Sequence, residues 1–150
     1  MSVRFSLDTN ILVYAADRDA GARHERALEI VDRATQRDCV VALQALAEFF
    51  HATTRKGLLP RKAAADQVRD WQILFPTVAA DAAALARALD AAVDQTFSFW
   101  DALLLATVAG AGCTAIVSED MHSGAAFAGI TVVDPFAGDG LPEEVLRLLG

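Results

Sequence analysis

The chain has 150 residues, of which 54% are hydrophobic and 22% charged, enough apolar material for one packed domain and too much for a disordered chain. Its 13 basic residues against 20 acidic ones leave a net charge of −7, which argues against a protein that grips nucleic acid by blanket phosphate neutralisation. Any contact with a polyanion needs positive charge from another source, and a divalent cation held by carboxylates is the obvious supplier.

Val3 to Leu7 alternates apolar and polar residues, the pattern of a first strand, and no apolar run of signal-peptide length stands before Asp8. Asp8-Thr9-Asn10 suits a turn into a helix from Ile11 to Ala16. After a polar break from Asp17 to Gly21, the spacing of Ala27, Ile30, Val31 and Ala34 predicts a helix over Ala22 to Arg37. Cys39 to Leu43 reads as a buried strand, followed by a helix from about Ala45 to Arg55 that closes at Lys56-Gly57. Pro60 opens the next helix, through Trp71. Asp81 to Val93 is an alanine-dominated helix, with Leu85 and Leu89 on one face, and its small side chains suit close approach to a second copy in a homodimer. Ser98 starts a helix through Ala109, Gly110 to Gly112 breaks it, and Thr114 to Val117 is a short buried strand. Ile130 to Val133 reads as the last strand and Pro142 to Leu149 as a terminal helix.

Strands alternating with helices, without a repeat or linker, predict a single α/β domain over residues 1–150, with a central, mainly parallel β-sheet flanked by α-helices in three layers. The longest uncharged stretch, Ala102 to Ser118, is short for a membrane span and broken by glycine. Cys39 and Cys113 sit apart in apolar segments and read as reduced, buried thiols, so a cytoplasmic protein is the expectation. His24, His51 and His122 lack zinc-site spacing and read as surface or boundary residues.

In such a fold, strand C-termini and helix N-termini share one rim. Asp8 closes the first strand, and Asp120 follows the Thr114 to Val117 strand by three residues. Glu48 lies near the start of the helix after the second strand, and Asp101 in the first turn of the helix opened at Ser98. Each has an ordinary explanation in isolation: Asp8 as an N-cap, Asp101 as the acid of a capping box with Ser98, Asp120 as a turn residue. Glu48, inside the apolar run from Ala45 to Phe50, needs a partner if buried. The ordinary explanations do not predict all four on one rim. Like charges so gathered repel, and Mg²⁺ or Mn²⁺ relieves the conflict, so metal-dependent phosphate chemistry is the natural function.

Leu7-Asp8-Thr9-Asn10-Ile11-Leu12, Gln44 to Phe49, Ser98 to Leu103 and Ser118-Glu119-Asp120-Met121 resemble the ordered acidic motifs of PIN domains, and among these the VapC toxins of bacterial toxin–antitoxin pairs. Val132 to Phe136 is similar to a closing strand-and-turn segment of that group, so the resemblance covers nearly the whole chain. It implies a Mg²⁺- or Mn²⁺-dependent endoribonuclease with Asp8, Glu48, Asp101 and Asp120 as the acidic cluster. Asp8, Asp101 and Asp120 would hold metal, and Thr9, Asn10 and Ser118 would support them. Ser118 stands where threonine is common, and Glu119 competes with Asp120 for the place of the fourth acid. The resemblance also implies an antitoxin partner that lays apolar anchors near the rim, on the helices Asn10 to Ala16 and Ala22 to Arg37 and the one carrying Phe49 and Phe50.

One basic island, with Arg55, Lys56, Arg61 and Lys62, follows the helix carrying Glu48 and offers phosphate contacts to RNA; a solvated helix end explains it equally well. Haloacid-dehalogenase-like phosphatases need a second acid where Asn10 stands, and they and receiver domains use a late lysine, whereas the lysines here are Lys56 and Lys62. A non-catalytic module with an acidic rim is the alternative from another class, and it has no need of all four acids.

Overall fold

The computed structural model describes residues 3–121 and 126–150; His122 lies outside them. Strand β1 (Phe5–Leu7) leads through Asp8 into α1 (Thr9–Ala16), a short 3-10 turn (Arg18–Ala20) and α2 (Ala22–Ala34). Strand β2 (Val41–Ala42) feeds α3 (Leu43–Arg55), and α4 (Arg61–Leu74) returns to β3 (Thr77–Val78). Helices α5 (Ala82–Val93) and α6 (Phe99–Gly110) precede β4 (Ala115–Val117), the hairpin β5 (Ala126–Phe127) and β6 (Ile130–Val133), and α7 (Glu143–Leu149).

The strands β1-β4-β6-β5 form one sheet in that order, parallel except at β5, and β2 pairs in parallel with β3. A parallel bridge between Phe5 and Cys39 joins the approach to β2 to β1, with the Val40 N–H donating to the Phe5 carbonyl at 2.9 Å. The parallel sheet flanked by helices is the arrangement expected from the sequence. β1 and β4 are buried along their whole length, as are both residues of β2, which accounts for their unbroken apolar runs.

Local chemistry sets the boundaries. The strand expected over Cys39 to Leu43 shrinks to Val41–Ala42, because α3 already starts at Leu43. Helix α2 stops at Ala34 rather than Arg37, and Arg37 turns instead to donate to the Leu149 carbonyl at 2.7 Å, tying down α7. Lys56 caps α3, and Gly57 follows at φ 68°, the left-handed position that ends a helix cheaply only for glycine. Pro60 sits at the cap of α4, one residue before the first turn.

Beyond Asp101 in its first turn, helix α6 is almost wholly apolar, and Ala102 to Val108 are buried without interruption, so it is an inner helix. On α5, Ala84, Ala88 and Ala91 pack against Ala102, Leu103 and Ala106 of α6. The alanine face is thus spent inside the molecule, which corrects its assignment to a dimer seam; Leu85, Leu89 and Val93 are the residues α5 exposes. Cys39 and Cys113 are free and buried, as expected. Among the described residues, no helix is long and apolar enough to cross a membrane.

β5 was not expected from the sequence. Its hairpin turns on Ala128 and Gly129, both at positive φ (55° and 81°), between the pairs Phe127–Ile130 and Ala126–Thr131. A two-residue turn of this kind favours Asn-Gly, and Ala-Gly carries little signal. Holding alanine left-handed costs about 1 kcal/mol. Ala128→Asn should therefore raise the urea midpoint, by about 0.5–1 kcal/mol of stability, without changing the slope. An unchanged or lowered midpoint would contradict the turn geometry.

Candidate active site

The rim at the ends of β1 and β4 is built by backbone pairing first. The Asp8 N–H donates to the Val117 carbonyl and the Ser118 N–H to the Val133 carbonyl, both at 3.0 Å, so the ladder runs on past each strand and brings Asp8 beside Ser118. Asp8 then caps α1, its Oδ1 accepting from the Thr9 N–H at 2.7 Å. Its Oδ2 accepts from the Ser118 hydroxyl at 2.7 Å and from Asn10 Nδ2 at 3.2 Å. The N-cap role and the site role hold together.

Asp8, Glu48, Asp101 and Asp120 line one cleft of about 470 Å³, together with Thr9, Asn10 and Tyr14. The four acids predicted from the sequence thus meet in one place. Their environments differ. Asp8 is buried, with 7% of its surface exposed, Glu48 and Asp101 are partly exposed, and Asp120 is exposed. Burial pushes the Asp8 carboxyl up to about 6 against the opposing hydrogen bonds from Ser118 and Thr9, and the charges of Asp101 and Asp120 push the same way. Burial also raises Asp101, opposed by Ser98 and reinforced by Glu48 and Asp120. Asp101 meanwhile keeps half of the expected capping box: its N–H donates to the Ser98 hydroxyl at 3.2 Å.

Glu48 has neutral partners. Thr9 Oγ1 donates to its Oε2 at 3.2 Å, and Gln44 Nε2 donates to its Oε1 at 3.0 Å. Gln44 also donates to the Trp100 carbonyl at 3.0 Å, which ties the start of α6, and with it Asp101, to α3. Gln44 belongs to the quoted motif, but its bridging role could not be read from spacing, since the partner is a carbonyl 56 positions away.

Glu119 is occupied elsewhere. It accepts from the Tyr14 hydroxyl at 2.6 Å and from Arg23 Nε at 2.8 Å, while its N–H donates to Asn10 Oδ1 at 3.2 Å. Burial raises its pKa, but the hydrogen bonds from Arg23 and Tyr14 outweigh this and hold the carboxyl below its usual range. Glu119 therefore clamps the segment after β4 to α1 and α2, and Asp120 is the acid that faces the cleft.

Of the basic island, Lys56 lines the cleft, whereas Lys62 pairs with Asp66 at 2.7 Å and Arg55 and Arg61 stand outside the lining. His51, expected as a surface or boundary residue, is exposed and also lines the cleft. Phe49 is fully buried against Trp71, their rings 4.8 Å apart, so it is not available to a partner. An apolar groove lies between α3 and α4, lined by Leu43, Leu46, Phe50 and Val68 among others.

Among the described residues, no three His, Cys, Asp or Glu side chains form a ready-made metal-ligating group. The donor set nevertheless fits a hard cation that keeps most of its waters, since Mg²⁺ typically takes only one or two carboxylates and completes its shell with water and substrate phosphate. Mutual repulsion of the acids is the conflict that such a cation relieves.

A stability consequence follows from Asp8. With its pKa raised from 3.8 to about 6, the folded state is favoured fully only below the unfolded value, and that contribution is lost as pH rises through about 6. At pH 7.5 the buried charge costs about 3 kcal/mol. Asp8→Asn removes this cost but leaves Asn10 short of one acceptor, a loss of about 1 kcal/mol. In a chelating buffer at pH 7.5, Asp8→Asn should be more stable than the native chain by about 1–2 kcal/mol in urea denaturation, and the difference should shrink towards pH 4. A variant less stable at pH 7.5 would contradict the assignment.

The PIN domain family model matches residues 6–124 of the chain. Among solved structures, VapBC2 from Rickettsia felis, bound to a DNA fragment from its promoter, is similar with a TM-score of 0.65 at 10% identity, over 88% of this chain and 98% of that one. DNA-bound VapBC from Salmonella typhimurium gives 0.64 at 17% identity, with the same coverage of 88% and 98%. VapC20 from Mycobacterium tuberculosis, a sarcin-ricin loop cleaving toxin, gives 0.59 at 17% identity over 75% and 86%. A search of curated proteins finds no match. At these identities the likeness to solved structures is one of fold, whereas the family model spans most of the chain, including the segments that carry the four acids: the chain belongs to the PIN domain family.

Proposed function

We propose that the chain is a Mg²⁺- or Mn²⁺-dependent endoribonuclease and the toxin of a VapBC-type pair. The observation that supports this most is the meeting of Asp8, Glu48, Asp101 and Asp120, from separate segments, in one cleft. Asp8 and Asp101, with Asp120 beside them, would hold the cation. When bound, such an ion supplies positive charge to a phosphodiester oxygen and makes water more acidic.

The chain's own groups do the rest. Ser118 and Asn10 keep Oδ2 of Asp8 oriented, and Thr9 keeps Oδ1. Glu48 is fixed by Thr9 and Gln44 and retains acceptor capacity on both oxygens, so it accepts the proton of a water that attacks phosphorus. The bond from phosphorus to the leaving ribose oxygen breaks, and that oxygen takes up a proton from solvent.

The remaining roles concern partners. The apolar groove between α3 and α4 suits the anchors of an antitoxin segment, with a basic side chain reaching on to Asp8, Glu48 and Asp101. Leu85, Leu89 and Val93 on α5 offer an apolar face for a homodimer. The site needs no membrane, and a cytoplasmic location is the natural one for it.

Asp8→Asn and Asp101→Asn should each lower Mg²⁺- or Mn²⁺-dependent cleavage of single-stranded RNA at least about 100-fold, with unchanged circular dichroism, because each removes a charge from the cation site. Chelator should abolish cleavage by the native chain. Full activity in a folded Asp8→Asn protein would overturn the proposal.

A further inference from the structure

The cleft extends beyond its acids. Along α3 from Glu48, His51 lies about one turn on and Lys56 about two turns on, and both line the same cleft, faced by Val13 and Tyr14 of α1. At 1.5 Å of rise per residue, Lys56 stands about 12 Å along the helix axis from Glu48. The cleft is therefore acidic at one end and basic at the other.

This cation is uncommitted where others are engaged. Lys62 and Arg69 pair with Asp66, and Arg23 with Glu119. Lys56 makes no ion pair among the described residues, and it is the cation that lines the acid cleft. Arg55 and Arg61 also have no ion-pair partner among the described residues, yet they line no part of it. In a chain of net charge −7, a polyanion entering beside four carboxylates meets repulsion that a cation within reach offsets.

We propose that His51 and Lys56 form a phosphate subsite, which holds a backbone phosphate flanking the scissile one while Arg55, Arg61 and Lys62 stay out of contact. This rests on the ribonuclease reading and deepens it. Lys56 supplies charge, and a ring N–H of the His51 imidazole donates to a phosphate oxygen. The strand is thereby laid along the cleft, between the basic end and the acids.

The test uses fluorescence anisotropy with a labelled, mixed-sequence single-stranded RNA in Mg²⁺, on the full chain carrying Asp101→Asn to slow cleavage. In that parent, Lys56→Ala should weaken binding about tenfold and flatten the slope of log affinity against log salt by about 0.7, the value of one phosphate contact on a single strand. His51→Ala should weaken binding about threefold, and Arg61→Ala should change neither affinity nor slope. Mg²⁺ affinity, measured by calorimetry on the otherwise native chain, should be the same with and without Lys56→Ala. An unchanged slope for Lys56→Ala, or an equal loss for Arg61→Ala, overturns the subsite. If the native chain cleaves RNA in these circumstances, the ribonuclease reading stands without the subsite; if it neither binds nor cleaves RNA, both fall.

Discussion

The carboxylate of Asp8 is taken out of water at the end of β1, and much of the surrounding structure keeps it there in a fixed orientation. Three donors from two distant parts of the chain converge on it: the Thr9 N–H, the Asn10 amide and the Ser118 hydroxyl. They do not fully compensate for desolvation, which leaves the group near pKa 6. A buried charge left in that condition is a destabilising feature that a packed core would ordinarily avoid. Its persistence makes sense if the position serves chemistry rather than stability.

The sheet makes this possible. Parallel pairing of β1 with β4 and of β4 with β6 sets the register that places Asp8 opposite the residue after Val117, so Ser118 reaches Asp8 without further help. Around this fixed point the other acids are held by different means. Glu48 is steadied by Thr9 and Gln44, Gln44 ties α3 to the start of α6, and the Glu119 clamp to Tyr14 and Arg23 fixes the segment that carries Asp120. Asp101 sits in the first turn of α6, where the positive end of the helix favours a carboxylate. The floor of the cleft is hydrogen-bonded and buried at Asp8, and its mouth is exposed at Asp120.

Much of this was legible in the sequence because the signals were local. Asp8 stands where an apolar strand meets a helix start, and Ser98 and Asp101 have cap spacing; the structure keeps those relations. The alternation of strands and helices gave the parallel sheet, and with it the shared rim. What stayed hidden depended on tertiary partners. Nothing near Gln44 announces the Trp100 carbonyl, and nothing near Glu119 announces Tyr14 and Arg23, so it takes the side-chain contacts to see that Glu119 is occupied while Asp120 lines the cleft. The alanines of α5 were ambiguous because small residues serve an internal seam and an external one alike; α6 takes them. β5 escaped because Ala128 adopts a backbone conformation that its side chain does not favour.

The proposed function turns on Asp8 as a buried carboxylate that a divalent cation would take up. The most direct measurement is the pH titration of the Asp8 side-chain carboxyl carbon by NMR, first in chelator and then in saturating Mg²⁺. The account predicts a midpoint near 6 without metal and a fall to below about 4 with it, because a bound cation favours the ionised form. A metal-free midpoint at the ordinary aspartate value, or one that Mg²⁺ leaves in place, would contradict it.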